Sequence, residues 1–197
     1  DENALVLDYT ATTDAPTIIN LTNHSYFNLE GQSSGSMLEQ TLCLNASTFT
    51  EGNAETCPTG RILPVAGTPM DFTRAKPIGR DIQAEYSQLQ MCGGYDHNFI
   101  LDKEPGMLAL AAVARSEKTG ITMETYTTQP GVQLYTSNSL QNDTRPGKTG
   151  GIYGRYQGFC LETQHYPCTP SHPEFPSVEL RPGEEYHETT IYKFLTE

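Results

Sequence analysis

The chain has 197 residues and a formal net charge of −12 at pH 7, a length that fits one domain with a substantial core. The negative charge argues against nucleic acid and against an anionic membrane surface as partners, and it also disfavours a phosphorylated substrate. No apolar run approaches the roughly 20 residues of a membrane helix, and no signal peptide opens the chain. We therefore expect a soluble protein.

The cysteines and the first residues give two further expectations. The five cysteines are an odd number without CxxC spacing, which indicates neither a disulfide framework nor a zinc site. We interpret them as reduced thiols and expect a cytoplasmic protein. The chain begins without Met and runs at once into a strand-like segment, so we expect a fragment or a processed chain.

The first elements alternate in hydrophobicity. Residues 5–12 predict a strand, and the turn residues at 13–16 predict that this strand opens a hairpin. Residues 17–29, TIINLTNHSYFNL, predict a long second strand. A face made only of hydrogen-bonding side chains, with His24 at its centre, suits a polyhydroxylated ligand. The side chains on that face are Asn20, Thr22, His24, Tyr26 and Asn28.

The middle of the chain is rich in turn residues. Residues 38–49 predict a strand, residues 51–61 predict a loop, and residues 65–72 predict a short extended segment. Residues 78–89 are the best helical candidate. The apolar residues of that pattern are Ile78, Ile82 and Leu89.

The second half reads as a series of strands. The paired glycines in residues 93–101 predict a strand entry that places Asp96 at an edge. Residues 108–116 and 121–128 flank the turn EKTG and predict a hairpin. Further strands are predicted at 131–137, 156–164 and 186–194. The sequence therefore predicts a mainly all-β, antiparallel β-sandwich with at most one or two short helices, forming a single domain over residues 1–197.

One strand carries an isolated carboxylate. In GFCLETQ, residues 158–164, alternation places Cys160, Glu162 and Gln164 on one face. No Lys or Arg lies within six residues of Glu162, so if the strand is buried this carboxylate needs a function or strong compensation. The alternative is a solvent-facing Glu162 on an edge strand. His24 is likewise either a hydrogen-bonded structural residue or an acid; together the two residues allow general acid–base chemistry on a neutral polar substrate.

Other chemistries find little support. Asp96 and His97 form a candidate metal pair, but no third ligand stands at a recognisable spacing. The glycines at 93–94 are followed by no Lys-Ser/Thr, and no serine lies in a Gly-x-Ser-x-Gly frame. We therefore predict neither a metal nor a cofactor.

Several longer motifs occur together in one order. They are NLTNHSYFNL at 20–29, PTG at 58–60, GTPMDF at 67–72, GGYDHNF at 93–99, TTQPGVQ at 127–133, GFCLETQ at 158–164, FPS at 175–177 and RPGEEY at 181–186. Taken together they resemble the aldose 1-epimerases, also called galactose mutarotases, over essentially the whole chain. The resemblance implies a large antiparallel β-sandwich of the galactose mutarotase-like type. It also implies cofactor-free interconversion of the α and β anomers of free hexoses such as galactose or glucose.

The resemblance also implies roles for individual residues. Glu162 matches the catalytic base of the family and His24 matches its general acid. Asp96 and Gln133 match residues that hold sugar hydroxyls. Two further candidate substrate-binding residues adjoin the acid, Ser25 and Tyr26.

The chain departs from the family at its start. In the family, an N-terminal portion precedes the stretch that matches Asp1 and supplies an Arg and a second His to the same site. We therefore expect this chain to be the C-terminal part of a longer mutarotase domain. A preceding segment or a second chain would complete the site, and the chain alone would be poorly active.

Two alternative functions stay open. A hexose-6-phosphate 1-epimerase would need a basic cluster at the C6 end of the sugar, and 12 Lys plus Arg show no such cluster in the sequence. A non-catalytic sugar-binding protein would keep the groove without turnover. The presence of both Glu162 and His24 weighs against it.

Overall fold

The computed structural model describes residues 2–140 and 144–196, and most regular structure in these ranges is antiparallel strand. None of the helices in these ranges is long and apolar enough to span a membrane. The strands are β1 (Ala4–Ala11), β2 (Thr17–Ile18), β3 (Thr41–Leu44), β4 (Thr48–Gly52), β5 (Pro58–Pro64), β6 (Lys76–Pro77), β7 (Asp96–Ile100), β8 (Ala109–Arg115), β9 (Ile121–Thr127), β10 (Gly131–Tyr135), β11 (Cys160–Gln164), β12 (Glu179–Leu180) and β13 (Tyr186–Thr196). Among the described residues the structure also has a short helix, α1 (Ser87–Cys92), and a 3₁₀ turn (Thr169–Ser171).

The strands form two main sheets and a short ribbon. The six-stranded sheet has the order β1-β13-β9-β8-β3-β6, the five-stranded sheet has the order β11-β10-β7-β4-β5, and β12 pairs with β2. Apolar side chains from both main sheets share one buried cluster, so the predicted antiparallel sandwich is confirmed. Its members include Leu42, Leu44, Phe49, Phe99, Ala112, Leu134, Leu161 and Tyr192.

Two buried polar contacts tie β11 to the opposite sheet. The Tyr192 hydroxyl donates to the Leu161 carbonyl at 2.7 Å, and the Thr163 and Thr190 hydroxyls lie 2.5 Å apart. Both contacts satisfy groups that would be costly to bury unpaired. They fix which face of β11 points to the core, and Glu162 lies on the other face, as its alternation predicts.

Several predicted elements are confirmed and others are wrong. Strand β1 and the β8–β9 hairpin lie where the sequence predicts them. The hairpin predicted at 13–16 is wrong, because β1 pairs with β13 and β2 pairs with β12. The single strand predicted at 38–49 is divided between the two sheets as β3 and β4, and β5 begins inside the predicted loop at 51–61.

The helix predicted at 78–89 is also misplaced, since α1 begins only at Ser87. The backbone N–H groups of Ile78 and Gly79 donate instead to the carbonyls of Gln40 and Leu38. These bonds hold the start of the predicted helix against the residues just before β3. Turns follow from there to the start of α1. Tertiary pairing therefore overrides the apolar spacing.

The long strand predicted at 17–29 is wrong in most of its length, because only Thr17–Ile18 forms a strand. Asparagine side chains bond the backbone of this segment in place of a sheet ladder. The Asn23 side chain accepts from the Ser25 N–H, and the Asn28 side chain accepts from the Glu30 N–H. The segment therefore follows local turns instead of a regular strand.

The paired glycines take the backbone conformation that the sequence predicts. Gly93 has φ 64 and caps the C-terminus of α1, and Gly94 has φ 143. The backbone here passes close to Asn138, whose side-chain amide donates to the Tyr95 carbonyl at 2.9 Å. Strand β7 begins two residues after Gly94 and lies between β10 and β4, so Asp96 is at the end of an interior strand.

We predict that Gly94→Ala destabilises the protein by roughly 2–4 kcal/mol. A Cβ at this position would collide with the Asn138 side chain and lie 2.9 Å from the Thr136 hydroxyl. Gly106→Ala is the matched control, because Gly106 also has a positive φ of 70 but has open space around it. Urea unfolding of both variants measures the difference. Equal losses would show that strain alone, and not the close approach to Asn138, makes Gly94 necessary.

Candidate active site

Three neighbouring strands bring polar side chains to one face of the five-stranded sheet. Gln133 on β10 lies opposite Glu162 on β11, and Tyr135 on β10 lies opposite Asp96 on β7. Since residues at even spacing share a face, the register places Asp96, Gln133 and Glu162 side by side. The sequence separation between these residues is large, so only strand pairing assembles them.

A loop segment adds His24 to this face. Phe27 and Phe159 form an isolated antiparallel bridge just before β11. Just after β11, the Asn20 side chain donates to the His165 carbonyl at 3.0 Å and accepts from the His165 N–H at 2.9 Å. These two anchors hold the intervening residues along the free edge of β11, with His24 above Glu162.

The polar face opens into a groove of about 530 Å³. Five of the six site residues predicted from the sequence line it together, namely His24, Tyr26, Asp96, Gln133 and Glu162. No Lys or Arg is among the described residues that line it. The remaining lining residues are Thr56, Met91, Cys92, Tyr135, Asn138, Ser139, Gln164 and Pro167.

An imidazole and a carboxylate meet in the groove. His24 Nε2 lies 3.2 Å from Glu162 Oε1, and the side chains are 52% and 11% exposed respectively. On the other side of the ring, His24 Nδ1 lies 3.4 Å from Cys160 Sγ. The Tyr26 ring stacks on His24 with a centroid separation of 5.0 Å. Both ring nitrogens and one ring face of His24 are therefore engaged, which fixes its orientation towards Glu162.

Burial makes the two carboxylates of the groove more basic. The pKa of Glu162 is raised, first by burial and then by the nearby charge of Asp96, while His24 opposes the rise. Burial likewise raises the pKa of Asp96, against the effects of the Gln133 hydrogen bond and of His24. A carboxylate with a raised pKa is a stronger proton acceptor once ionised. Glu162 therefore has the electrostatic character of a general base.

Gln133 is bonded to one of the two carboxylates and keeps one acceptor free. Its Nε2 donates to Asp96 Oδ1 at 2.8 Å. Its Oε1 is buried and has no hydrogen-bond partner in the described protein. A buried polar atom without a partner calls for an explanation. A ligand hydroxyl in the groove would supply the missing donor.

Two residues weighed in the sequence lie outside this arrangement. Ser25 is not among the residues that line the groove, and its described contact is the backbone bond to Asn23. His97 points to the core, where its ring lies edge-on to Phe49 and burial lowers its pKa to about 4. Asp96 and His97 face opposite sides of β7, so the structure excludes them as a metal pair.

Among the described residues, one trio has ligand atoms close enough to hold a metal ion: His24, Cys160 and Glu162. Burial raises the pKa of the Cys160 thiol, and the charges of Glu162 and Asp96 raise it further. In the metal-free groove the thiol is therefore protonated, and it would have to lose that proton to bind zinc. The trio is better suited to hydrogen bonding and proton transfer than to metal binding.

Some lining residues were not assigned a role from the sequence. Gln164 shares the face of Glu162, and Tyr135 shares that of Gln133, so strand alternation was the signal for both. Thr56 and Pro167 come from loops. No periodicity marks such residues, and only the folded structure brings them to the groove.

Comparisons with known proteins agree with one another. A family model described as aldose 1-epimerase matches residues 1–193. A galactose mutarotase of Rattus norvegicus is 42% identical over 194 residues, which are 98% of this chain and 55% of the rat protein. An aldose 1-epimerase of Escherichia coli K12 is 36% identical over 199 residues, covering 100% of this chain and 56% of the relative. The chain thus spans about half the length of the curated relatives it matches.

The solved structures show the same similarity. A crystal structure of an aldose epimerase homologue from C. elegans superposes with a TM-score of 0.86 at 32% identity, covering 100% of this chain and 57% of that one. A galactose 1-epimerase from Lactobacillus acidophilus superposes with a TM-score of 0.81 at 29% identity, covering 99% of this chain and 54% of the other.

Proposed function

This chain belongs to the aldose 1-epimerase family, and from that premise we propose that its groove interconverts the α and β anomers of free hexoses such as galactose and glucose. The observation that carries the proposal is the contact of 3.2 Å between His24 Nε2 and Glu162 Oε1 in a groove with no described Lys or Arg. An acid and a base in contact, flanked by neutral and acidic hydrogen-bonding groups, suit a neutral polyol.

In the proposed reaction, the ionised Glu162 takes the proton of the C1 hydroxyl while the protonated His24 donates a proton to the ring oxygen. The bond between C1 and the ring oxygen breaks and the open-chain aldehyde forms. After rotation about the C1–C2 bond, Glu162 gives its proton back to the oxygen on C1 and His24 takes its proton back from the hydroxyl that closes the ring. The ring then closes as the other anomer. No atom is gained or lost, and the two side chains take up and supply both protons, so the proposed steps call for no cofactor.

The geometry of the pair supports this sequence of steps. The hydroxyl and the ring oxygen are both bonded to C1, so the acid and the base that serve them must lie close together. His24 and Glu162 meet that requirement in the free groove, where each partners the other until a sugar enters. Each general acid or base contributes roughly 10²–10⁴ in rate when it is positioned in this way.

Two other residues would hold the sugar in place. Asp96 can accept a hydrogen bond from a sugar hydroxyl, and Gln133 Oε1 beside it is an acceptor without a partner. By fixing the distal hydroxyls they would allow only the C1 end to swing during the open-chain step. We propose these two as the binding residues, with Tyr26 packing against the acid. We give Ser25 no such role because it does not line the groove.

The compartment of the protein and the exclusion of a phosphorylated substrate are also proposals. Because all five cysteines are unpaired, we propose a reducing compartment such as the cytoplasm. A phosphorylated hexose is disfavoured, because the described groove offers no cation for a phosphate.

Polarimetry of freshly dissolved α-D-galactose and α-D-glucose tests the proposed function. We expect the protein to speed the relaxation of optical rotation in proportion to its concentration, without added metal or nucleotide. The uncatalysed relaxation in the same buffer is the control. Binding of either sugar, seen by calorimetry, without any acceleration would instead assign the groove to a non-catalytic sugar-binding protein.

A further inference from the structure

Two cysteines meet at one end of the groove. Cys57 comes immediately before β5, and Cys168 lies between β11 and the 3₁₀ turn. The two side chains lie close enough to interact, because Cys57 contributes to the raised pKa of the Cys168 thiol. The loops that carry them are also joined by His172, whose Nε2 lies 2.9 Å from the Pro58 carbonyl oxygen. The thiol contact is therefore part of a wider packing contact between the two loops.

The backbone holds both thiols in position. Thr56 and Cys168 take the left-handed conformation with φ 61 and φ 57, which is uncommon for residues other than glycine. On the first loop, Asn53 accepts from the Cys57 N–H at 3.1 Å and donates its own N–H to the Cys57 carbonyl at 2.8 Å. These bonds fix the direction in which the Cys57 side chain leaves the loop.

The chemistry of the pair points to oxidation. Both residues are only partly buried, so a small oxidant can reach them, whereas Cys160 is buried. In the described part of the chain, the one grouping with metal-binding spacing lies elsewhere, at Glu162, so the pair lacks the further ligands that zinc needs. The pKa of the Cys168 thiol is raised, by burial first and then by Cys57. A raised pKa disfavours the thiolate form of Cys168, so we assign Cys168 the second, resolving attack.

We propose that Cys57 and Cys168 are a redox modification site that forms a reversible disulfide with a low-molecular-weight disulfide, such as oxidised glutathione, as the oxidant. The Cys57 thiolate attacks one glutathione sulfur, which forms a mixed disulfide and releases one glutathione thiol. Cys168 then loses its proton and attacks the Cys57 sulfur, which releases the second glutathione. Two protein thiols are oxidised, and one glutathione disulfide is reduced to two thiols.

The disulfide would alter the groove, a step that rests on the proposed function. The neighbours of the two cysteines, Thr56 and Pro167, both line the groove. A disulfide bond is about 2.05 Å long, much shorter than a contact between two unbonded sulfur atoms. Oxidation therefore draws the two loops together and narrows this end of the groove. Neither thiol contacts Glu162, so we expect KM to rise at least about threefold with kcat much less affected.

Peptide mapping after equilibration in glutathione buffers of increasing oxidised fraction tests the proposal. The samples are quenched in acid and alkylated. We expect a cross-linked peptide that contains Cys57 and Cys168, a mass loss of two hydrogen atoms, and complete reversal by dithiothreitol. Cys57→Ser and Cys168→Ser should each stop at the glutathione adduct. Cys43→Ser is the matched control and should still form the cross-link, because Cys43 lies on β3 in the other sheet.

Two results would overturn the proposal. Glutathione adducts on both cysteines without a cross-linked peptide would exclude the disulfide. A cross-link that leaves KM for galactose equal in oxidised and reduced protein would remove its effect on the groove. If neither form turns over sugar, the proposed function has failed. The mass mapping still decides the disulfide in that case, and calorimetric sugar affinity decides its effect on the groove.

Discussion

Glu162→Gln should lower kcat for anomer interconversion by roughly 10²–10⁴, or about 3–5 kcal/mol of activation free energy, with little change in sugar affinity. Gln keeps the size of the side chain and its ability to accept a hydrogen bond from His24. It cannot accept a proton from the C1 hydroxyl at any pH that the protein survives. Polarimetric progress curves over a range of galactose concentrations separate the effects on kcat and KM.

The same substitution should not cost stability at neutral pH. The pKa of Glu162 is raised in the folded protein, first by burial and then by Asp96. Between the pKa of Glu162 in the unfolded chain and its raised pKa in the folded protein, the native state therefore binds more protons than the unfolded state. The stability of the wild-type protein relative to the variant falls as the pH rises through that raised pKa. Melting temperatures of both proteins should therefore diverge in favour of Glu162→Gln as the pH rises towards neutral.

Glu117→Gln is the matched control for both measurements. Glu117 lies in the turn after β8 with its side chain 73% exposed, paired with Arg115, and exposed pairs contribute little to stability. It should leave kcat and its dependence on pH unchanged. A Glu162→Gln protein that kept most of its turnover would assign the proton acceptor to another group, and Asp96 is the other carboxylate among the described residues that line the groove.

The sequence predicted the parts of the fold in which local pattern and tertiary pairing agree. The turn between β8 and β9 joins two alternating strands, and these strands pair with each other. The alternation around Glu162 likewise matches the packing of β11, with Leu161 turned to the core. The β-sandwich class and the family resemblance followed from such segments, and both are confirmed.

The failures have physical causes of two kinds. In residues 17–29, the side chains of Asn23 and Asn28 bond the backbone. These bonds compete with strand pairing, and hydrophobic periodicity does not reveal them. Long-range pairing is the second cause. The partner of β1 is β13 at the other end of the chain, whereas sequence reasoning favours the neighbouring segment.

Prediction of the site was limited in the same way. His24 and Glu162 were singled out because a histidine or an acid is unusual among its neighbours, and the structure places them in contact. Their distance depends on the anchors of the loop segment at Asn20 and Phe27, which no spacing reveals. The contact between Cys57 and Cys168 depends on two loops. Composition suggested only that the cysteines are reduced.

His24→Gln should lower kcat/KM by roughly 10²–10³ and change the shape of its pH dependence. In the wild-type protein the rate should fall at low pH as Glu162 is protonated, and it should fall at high pH if the reaction needs a protonated acid. The variant should lose the decline at high pH. Because His24 lowers the pKa of Glu162 by its charge, removing it should raise that pKa further. The decline at low pH should therefore begin at a higher pH than in the wild-type protein.

The control for this prediction is His187→Gln. His187 is also about half exposed, at 57%, and also contacts a carboxylate, with Nε2 at 2.9 Å from Asp8 Oδ1, but it lies on β13 in the opposite sheet. This variant should keep both declines of the wild-type profile. If His24→Gln kept the decline at high pH, another group would be the acid. If instead its decline at low pH moved to lower pH, the charge interaction between His24 and Glu162 would have the opposite sign to the one inferred. Only a shift to higher pH together with loss of the high-pH decline fits an imidazolium that both donates the proton and keeps the base ionised.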